Sequence, residues 1–235
     1  MGLVSGWEYA DGFRLATFRN RASMPGGVLH LYLDGDGRPW RSRNQVARNP
    51  TPQNALVLGL LARDPAPALY LGRPCYQGEQ EAEGCEPWLW TFGRYSERVI
   101  SAMATALEQL IEAESIDRVT LIGYSGGGVI AWHLAQRIPE VERLVTIAAN
   151  LDLRAWTRLH GYSPLAGSLD PAAGPPMREP VQQLHLVGRS DQNVPATLTE
   201  PLEQRFGPSF QRRLIAAGHA DGWLERWPDL LGWVW

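Results

Sequence analysis

The chain has 235 residues, 44% of them hydrophobic, and a formal net charge of −3. That length buries one sizeable core and favours one α/β domain, and no stretch approaches the roughly 20 apolar residues of a membrane span. All 22 basic side chains are Arg, spread without a basic stripe in a weakly acidic chain, which argues against nucleic acid as a partner.

Glycine and proline are numerous but scattered among apolar segments, so the composition is not that of a disordered chain. The stretch Met1-Gly2-Leu3-Val4-Ser5-Gly6-Trp7 has no positive charge ahead of an apolar run and is not a signal peptide. Tyr9 to Leu15 reads as a hairpin turning on Asp11-Gly12. Val28 to Leu33 is a strand ending in Asp34-Gly35-Asp36-Gly37. Asn49-Pro50 and Thr51-Pro52 break the chain before a short helix from Gln53 to Arg63, and Ala68 to Leu71 is a buried strand. Ser96 to Glu114 is a helix, with Val99, Ile100, Met103, Leu107, Leu110 and Ile111 at three- and four-residue spacings.

A tighter rhythm follows, with strands at 119–122, 144–148, 184–188 and 213–216. Helices at 127–137, 197–205 and 221–233 alternate with them. Such alternation predicts a mostly parallel sheet covered on both faces, with ligands beyond the carboxyl ends of the strands. The excursion at 150–180 is too long for a plain connection and is expected to form a small lid or wall. No internal repeat or domain break interrupts residues 1–235.

Cys75 and Cys85 lie ten positions apart in a segment rich in Gly and Glu. A disulfide there would restrict the unfolded chain by about 3 kcal/mol and would imply an oxidising compartment. Two unrelated thiols are the alternative. No histidine nearby in sequence completes a zinc site, and no metal or cofactor is expected.

Gly123-Tyr124-Ser125-Gly126-Gly127 stands between a strand and a helix, the form of a nucleophile elbow. Such a turn projects the Ser125 hydroxyl above the sheet, and small residues at 123 and 127 let strand and helix approach. A serine hydroxyl needs an imidazole to take its proton, and the imidazole needs a carboxylate to fix its tautomer. Of five histidines, His219 alone follows a late strand end; His30, His133, His160 and His185 read as surface or satisfied core residues. Asp191, just past a strand end, is the expected acid, with Asp152 as runner-up. The order Ser125, Asp191, His219 is that of α/β-hydrolases. Charge on a substrate oxygen would be met by the backbone N–H groups of Gly126 and Asp36. The Asp36 carboxylate must then turn away, and a bond to Arg38, Arg41 or Arg43 is the expectation.

These residues resemble the α/β-hydrolase superfamily, in the elbow, in Leu186 to Pro195 and in Gly218-His219, with element order matching over roughly 28–233. The resemblance implies an eight-stranded, mostly parallel sheet with helices on both faces. It also implies a nucleophile, acid and base at Ser125, Asp191 and His219, acting on a small-molecule acyl ester or thioester. Peptidases and acyltransferases share these residues, and a non-catalytic binding protein could share the scaffold. Tyr32 to Gly37, Asp64-Pro65, Leu71 to Cys75 and Trp90-Thr91 resemble more narrowly a group of bacterial hydrolases that often carry export or lipoprotein signals. That likeness implies a periplasmic or otherwise exported protein whose signal, or lipid-anchoring segment, is absent from this chain; a cytoplasmic protein is the alternative. Asp34-Gly35 departs from the His-Gly of many esterases at the oxyanion loop.

Overall fold

The computed structural model describes residues 2–20 and 27–234; Met1, 21–26 and Trp235 lie outside the described residues. The strands β1 (Val4–Ala10) and β2 (Phe13–Arg19) form the expected hairpin, and both turn residues, Asp11 and Gly12, have positive φ. Beyond β3 (Val28–Leu33), the strands β4 (Trp40–Ser42) and β5 (Gln45–Val46) make a small separate ribbon that the sequence did not announce. The helix α1 (Leu56–Leu61) is shorter than 53–63: Gln53 and Asn54 form a bend ahead of it and Ala55 lies outside helical geometry at φ −96° and ψ 32°.

After β6 (Ala68–Leu71) come α2 (Glu97–Glu114), β7 (Arg118–Tyr124), α3 (Gly126–Ala135) and β8 (Val141–Ile147). The chain continues through α4 (Leu153–His160), β9 (Gln182–Gly188), α5 (Glu200–Phe206), β10 (Phe210–Ile215) and α6 (Trp223–Leu231). Eight strands join one sheet in the order β1-β2-β6-β3-β7-β8-β9-β10. β1 and β2 are antiparallel to their neighbours, and β6 through β10 run parallel along that order.

Both faces of the sheet are covered. Leu29, Leu31, Val119 and Leu121 pack with α2, α3 and α5 on one side. Tyr32, Ile122, Val145 and Leu186 pack with α1 and α6 on the other. A strand buried on both faces is apolar at successive positions, which is why β7 and β8 read as runs without alternation. Each large side chain buried this way contributes roughly 1.5–3 kcal/mol relative to exposure. A buried polar cluster interrupts the second face. Asp64 is buried between His30 Nδ1 at 2.7 Å and the Tyr32 hydroxyl at 2.5 Å, and the Trp227 indole N–H donates to that hydroxyl at 3.2 Å. The partners satisfy a carboxyl that would otherwise be costly to bury.

Cys75 and Cys85 are disulfide-bonded, with Cα atoms 5.5 Å apart. The bridge closes the loop between β6 and α2, and Cys75 is fully buried. The 150–180 excursion packs against the core. Leu165, Leu169 and Ala172 pack on the core, Leu169 N donates to Tyr95 O at 2.9 Å, and Ser168 Oγ donates to Phe92 O at 2.8 Å. Its one α-helix is α4, whose Trp156 faces the site described next.

Candidate active site

Loops leaving the carboxyl ends of β3, β7, β9 and β10 converge. Ser125 sits between β7 and α3 at φ 49° and ψ −121°, a strained conformation for a residue with a side chain. Two contacts force the sharp turn. A Cβ on Gly123 would lie 2.5 Å from Gly127 O, and one on Gly127 would lie 2.2 Å from Leu33 O. Only glycine lets β7, α3 and the end of β3 come this close.

Ser125 Oγ lies 3.1 Å from His219 Nε2, and His219 Nδ1 lies 2.8 Å from Asp191 Oδ2. The structure therefore brings together three of the sequence-predicted residues. Asp191 is buried, and its other oxygen accepts from the backbone N–H groups of Asn193 and Val194, both at 2.8 Å. Burial would raise its pKa, but the bond from His219 and the two N–H groups outweigh it and hold the carboxyl below its usual range. An ionised Asp191 only accepts, so the imidazole carries its proton on Nδ1 and offers Nε2 to the Ser125 hydroxyl. Asp152 is not part of this cluster; its side chain caps α4 by accepting from Ala155 N at 2.7 Å.

The other histidines are engaged elsewhere. His133 Nε2 meets Leu169 O at 3.1 Å, and His160 Nε2 meets Asn193 O at 2.7 Å. His185 is buried against Phe210 at 3.7 Å between ring centroids, and desolvation pushes its pKa down to about 3.

The loop after β3 lies against the serine: a Cβ on Gly35 would be 3.3 Å from Ser125 Cβ. Among the described residues, neither the Asp36 nor the Gly126 backbone N–H has an acceptor within the protein. The Asp36 carboxylate does turn away, but not to the expected partners. Instead of Arg38, Arg41 or Arg43, Arg73 Nη1 bonds Oδ1 at 2.7 Å, Arg94 Nη1 bonds Oδ2 at 2.8 Å, and the Tyr95 hydroxyl lies 2.7 Å from Oδ2. The reason is the turn at Gly37 (φ +63°), which sends the next residues outward while Arg73 and Arg94 enter from the buried side. Arg73 also donates to Arg94 O, Arg94 donates to Thr91 O, and the Tyr76 hydroxyl donates to Asp36 O at 3.1 Å. Burial alone would raise the Asp36 pKa; the guanidiniums of Arg94 and Arg73 overcome it and hold the carboxyl at about 2. The same carboxylate fills the space beside Gly126, where a Cβ would lie 2.1 Å from Asp36 Oδ1.

Sequence reasoning also missed Asn193. The Trp156 indole N–H donates to Asn193 O at 3.1 Å and Oδ1 at 3.3 Å, which turns Asn193 Nδ2 towards His219 Nε2 at 3.0 Å. The excursion is thereby tied to the imidazole. No periodic or motif signal marks such a contact.

Above Ser125 opens a cleft of about 940 Å³. Its lining includes Trp40, Phe92, Tyr124, Trp156, Tyr162 and Leu165. Chemically, the arrangement holds a hydroxyl on an imidazole, with two free N–H groups on the loops flanking it. Among the described residues, no group of three His, Cys, Asp or Glu side chains is placed to hold a metal, and no helix is long and apolar enough to cross a membrane.

A family model for the alpha/beta hydrolase fold matches residues 83–166. A search of curated proteins finds no match to the sequence. Solved structures do match. An alpha-beta serine hydrolase homologue from Coxiella burnetii is 14% identical at a TM-score of 0.64, over 100% of this chain and 96% of that one. An esterase from Pyrococcus furiosus is 13% identical at a TM-score of 0.70, over 99% of this chain and 89% of that one. A serine hydrolase from Xanthomonas campestris described as having no lid is 13% identical at a TM-score of 0.64, over 100% and 92%. With the sheet order above, these matches establish the α/β-hydrolase fold for this chain.

Proposed function

We propose that the protein is a serine hydrolase that cleaves a carboxylic ester or thioester through an acyl-enzyme. The observation that carries this reading is the continuous contact from Ser125 Oγ through His219 to Asp191, at 3.1 and 2.8 Å. A binding protein on the same scaffold has no need of that alignment, nor of a serine in a strained turn at the floor of a cleft.

In this reading Ser125 Oγ attacks the carbonyl carbon as His219 Nε2 takes its proton, and Asp191 stabilises the imidazolium. The carbonyl oxygen gains negative charge and receives the N–H groups of Gly126 and Asp36. The C–O or C–S bond then breaks, the alcohol or thiol leaves with the proton from His219, and the acyl group stays on Ser125. Water attacks this ester with His219 again as base, releasing the carboxylic acid and restoring the serine. Catalysis in this scheme uses no cofactor.

The disulfide further supports a place in an oxidising compartment, as for an exported hydrolase. Thiol trapping on intact cells of the source organism tests that point; reduced Cys75 and Cys85 in vivo would argue for the cytoplasm. The test of the activity is a substrate panel of p-nitrophenyl esters, acyl thioesters and amino-acid anilides. Ester or thioester turnover lost in Ser125→Ala is expected, whereas anilide turnover alone would make the protein a peptidase, and acyl transfer to an added alcohol in preference to water an acyltransferase.

A further inference from the structure

The true partners of Asp36 leave three arginines without one. Gly37 to Val46 reads Gly-Arg-Pro-Trp-Arg-Ser-Arg-Asn-Gln-Val, three cations and no acid in a chain whose net charge is −3. Asp36, the carboxylate next to this segment, is saturated by Arg73, Arg94 and Tyr95. Among the described residues, the side chains of Arg38, Arg41 and Arg43 make no ion pair or hydrogen bond, and all three are exposed. Other exposed arginines among the described residues, such as Arg118, Arg154, Arg158, Arg189 and Arg213, likewise make no ion pair, so what marks Arg38 and Arg43 is their place on the cleft.

The segment is also fixed in place. Arg38 N donates to Pro50 O at 2.8 Å, Ala47 N to Pro39 O at 2.9 Å and the Trp90 indole to Ala47 O at 3.1 Å. Trp40 packs edge-on to Phe92 at 5.6 Å. Arg38 and Arg43 line the cleft that contains Ser125; Arg41 does not.

The other charges on the cleft wall do not cancel these cations. Asp36 with Arg73 and Arg94 sums to one net positive charge behind the loop, which offsets the carboxylate of Asp191 behind His219 and leaves Arg38 and Arg43 uncancelled. The other lining acid, Asp34, is buried, and desolvation raises it to about 7 despite the Gly35 N–H, so near neutral pH it carries only part of a charge. A concave wall with one sign of charge concentrates ligands of the other sign. Neutral amides, Asn44, Gln53 and Asn54, share that wall with Pro39, Trp40 and Pro52, and add no negative charge.

We propose that the substrate carries an anionic oxyacid group on the part that extends from the scissile ester towards β4 and β5, and that Arg38 and Arg43 bind it. This rests on the hydrolase reading of Ser125. The guanidinium fork suits carboxylate and phosphate oxygens alike, and rim cations would also speed the encounter at low salt.

The test compares p-nitrophenyl hydrogen glutarate with neutral p-nitrophenyl valerate, on the parent, Arg38→Gln/Arg43→Gln and Arg41→Gln proteins, with Tm as the check on folding. A charge-assisted bond predicts kcat/KM at least roughly 10-fold higher for the anionic ester in the parent. That ratio should shrink with added salt, collapse in the double variant and persist in Arg41→Gln. A parent ratio near one, or a ratio the double variant keeps, overturns the assignment while leaving the hydrolase reading intact. Calorimetry with glutarate and with phenyl phosphate reads the site without turnover and tells which oxyacid is preferred. If neither ester is cleaved, the hydrolase reading fails, and the anion site stands or falls on binding that the double variant loses.

Discussion

Asp36→Asn isolates the clamp on the loop after β3, because it keeps the backbone N–H and the side-chain shape and removes only the charge. In the folded protein the carboxyl is held at about 2 against an ordinary 3.8, through Arg94 and Arg73 and against burial. That lowering is worth about 2.5 kcal/mol of stability near neutral pH, present above the unfolded value and lost as pH falls from about 4 to about 2. The variant loses at least that much, and it leaves two guanidiniums, with side chains 3% and 6% exposed, buried without a counter-charge. Breaking a buried pair in this way costs about 3–5 kcal/mol, which sets the upper end. Urea unfolding at pH 7 should show a loss in that range, with Arg41→Gln unchanged. Loosening the loop should also misplace the Asp36 N–H, and loss of one oxyanion donor lowers kcat by ~10²–10³ with a smaller effect on KM. Stability within about 0.5 kcal/mol of the parent, together with an unchanged kcat, would refute the positioning argument; the usual effect of a neutral surface change is of that size.

Asp191→Asn should lower kcat by ~10⁴, as loss of the tautomer-setting acid does in serine proteases, while Asp152→Asn keeps near-parent turnover; steady-state kinetics with the reverse ranking would move the acid to the loop after β8. Cys75→Ser/Cys85→Ser should lower unfolding free energy by about 3 kcal/mol, and alkylation of the denatured, unreduced parent should add no mass. Asp34 is raised by burial to about 7, so its folded form favours the proton and its contribution worsens as pH rises from about 4 through about 7. Asp34→Asn should therefore raise Tm relative to the parent at pH 8 and change it little at pH 4; a larger gain at pH 4 would contradict that sign.

The elements that build the site were readable because each leaves a local mark. The elbow glycines, the apolar run before them and the long periodic helix at 97–114 all follow from short-range packing rules. The loops bearing Asp191 and His219 were placed by strand ends, and the structure puts His219 within reach of Ser125 and Asp191 within reach of His219. The Asp36 clamp was not readable. Its partners lie 37 and 58 positions away on loops whose meeting depends on the finished sheet, whereas Arg38, Arg41 and Arg43 are near only in sequence. Strands of three and two residues, as in β4 and β5, are too short to show alternation. Asn193 turns to His219 because a tryptophan 37 positions earlier holds its oxygen, a contact with no periodicity to betray it.

The central claim is that His219 and Asp191 activate the hydroxyl of Ser125. A fluorophosphonate probe incubated with the folded protein, followed by intact mass and peptide mapping, tests it most directly. The account predicts one phosphonyl adduct, on the peptide bearing Ser125, absent from Ser125→Ala and strongly slowed in His219→Ala. No adduct on folded protein, or an adduct that Ser125→Ala retains, would contradict it.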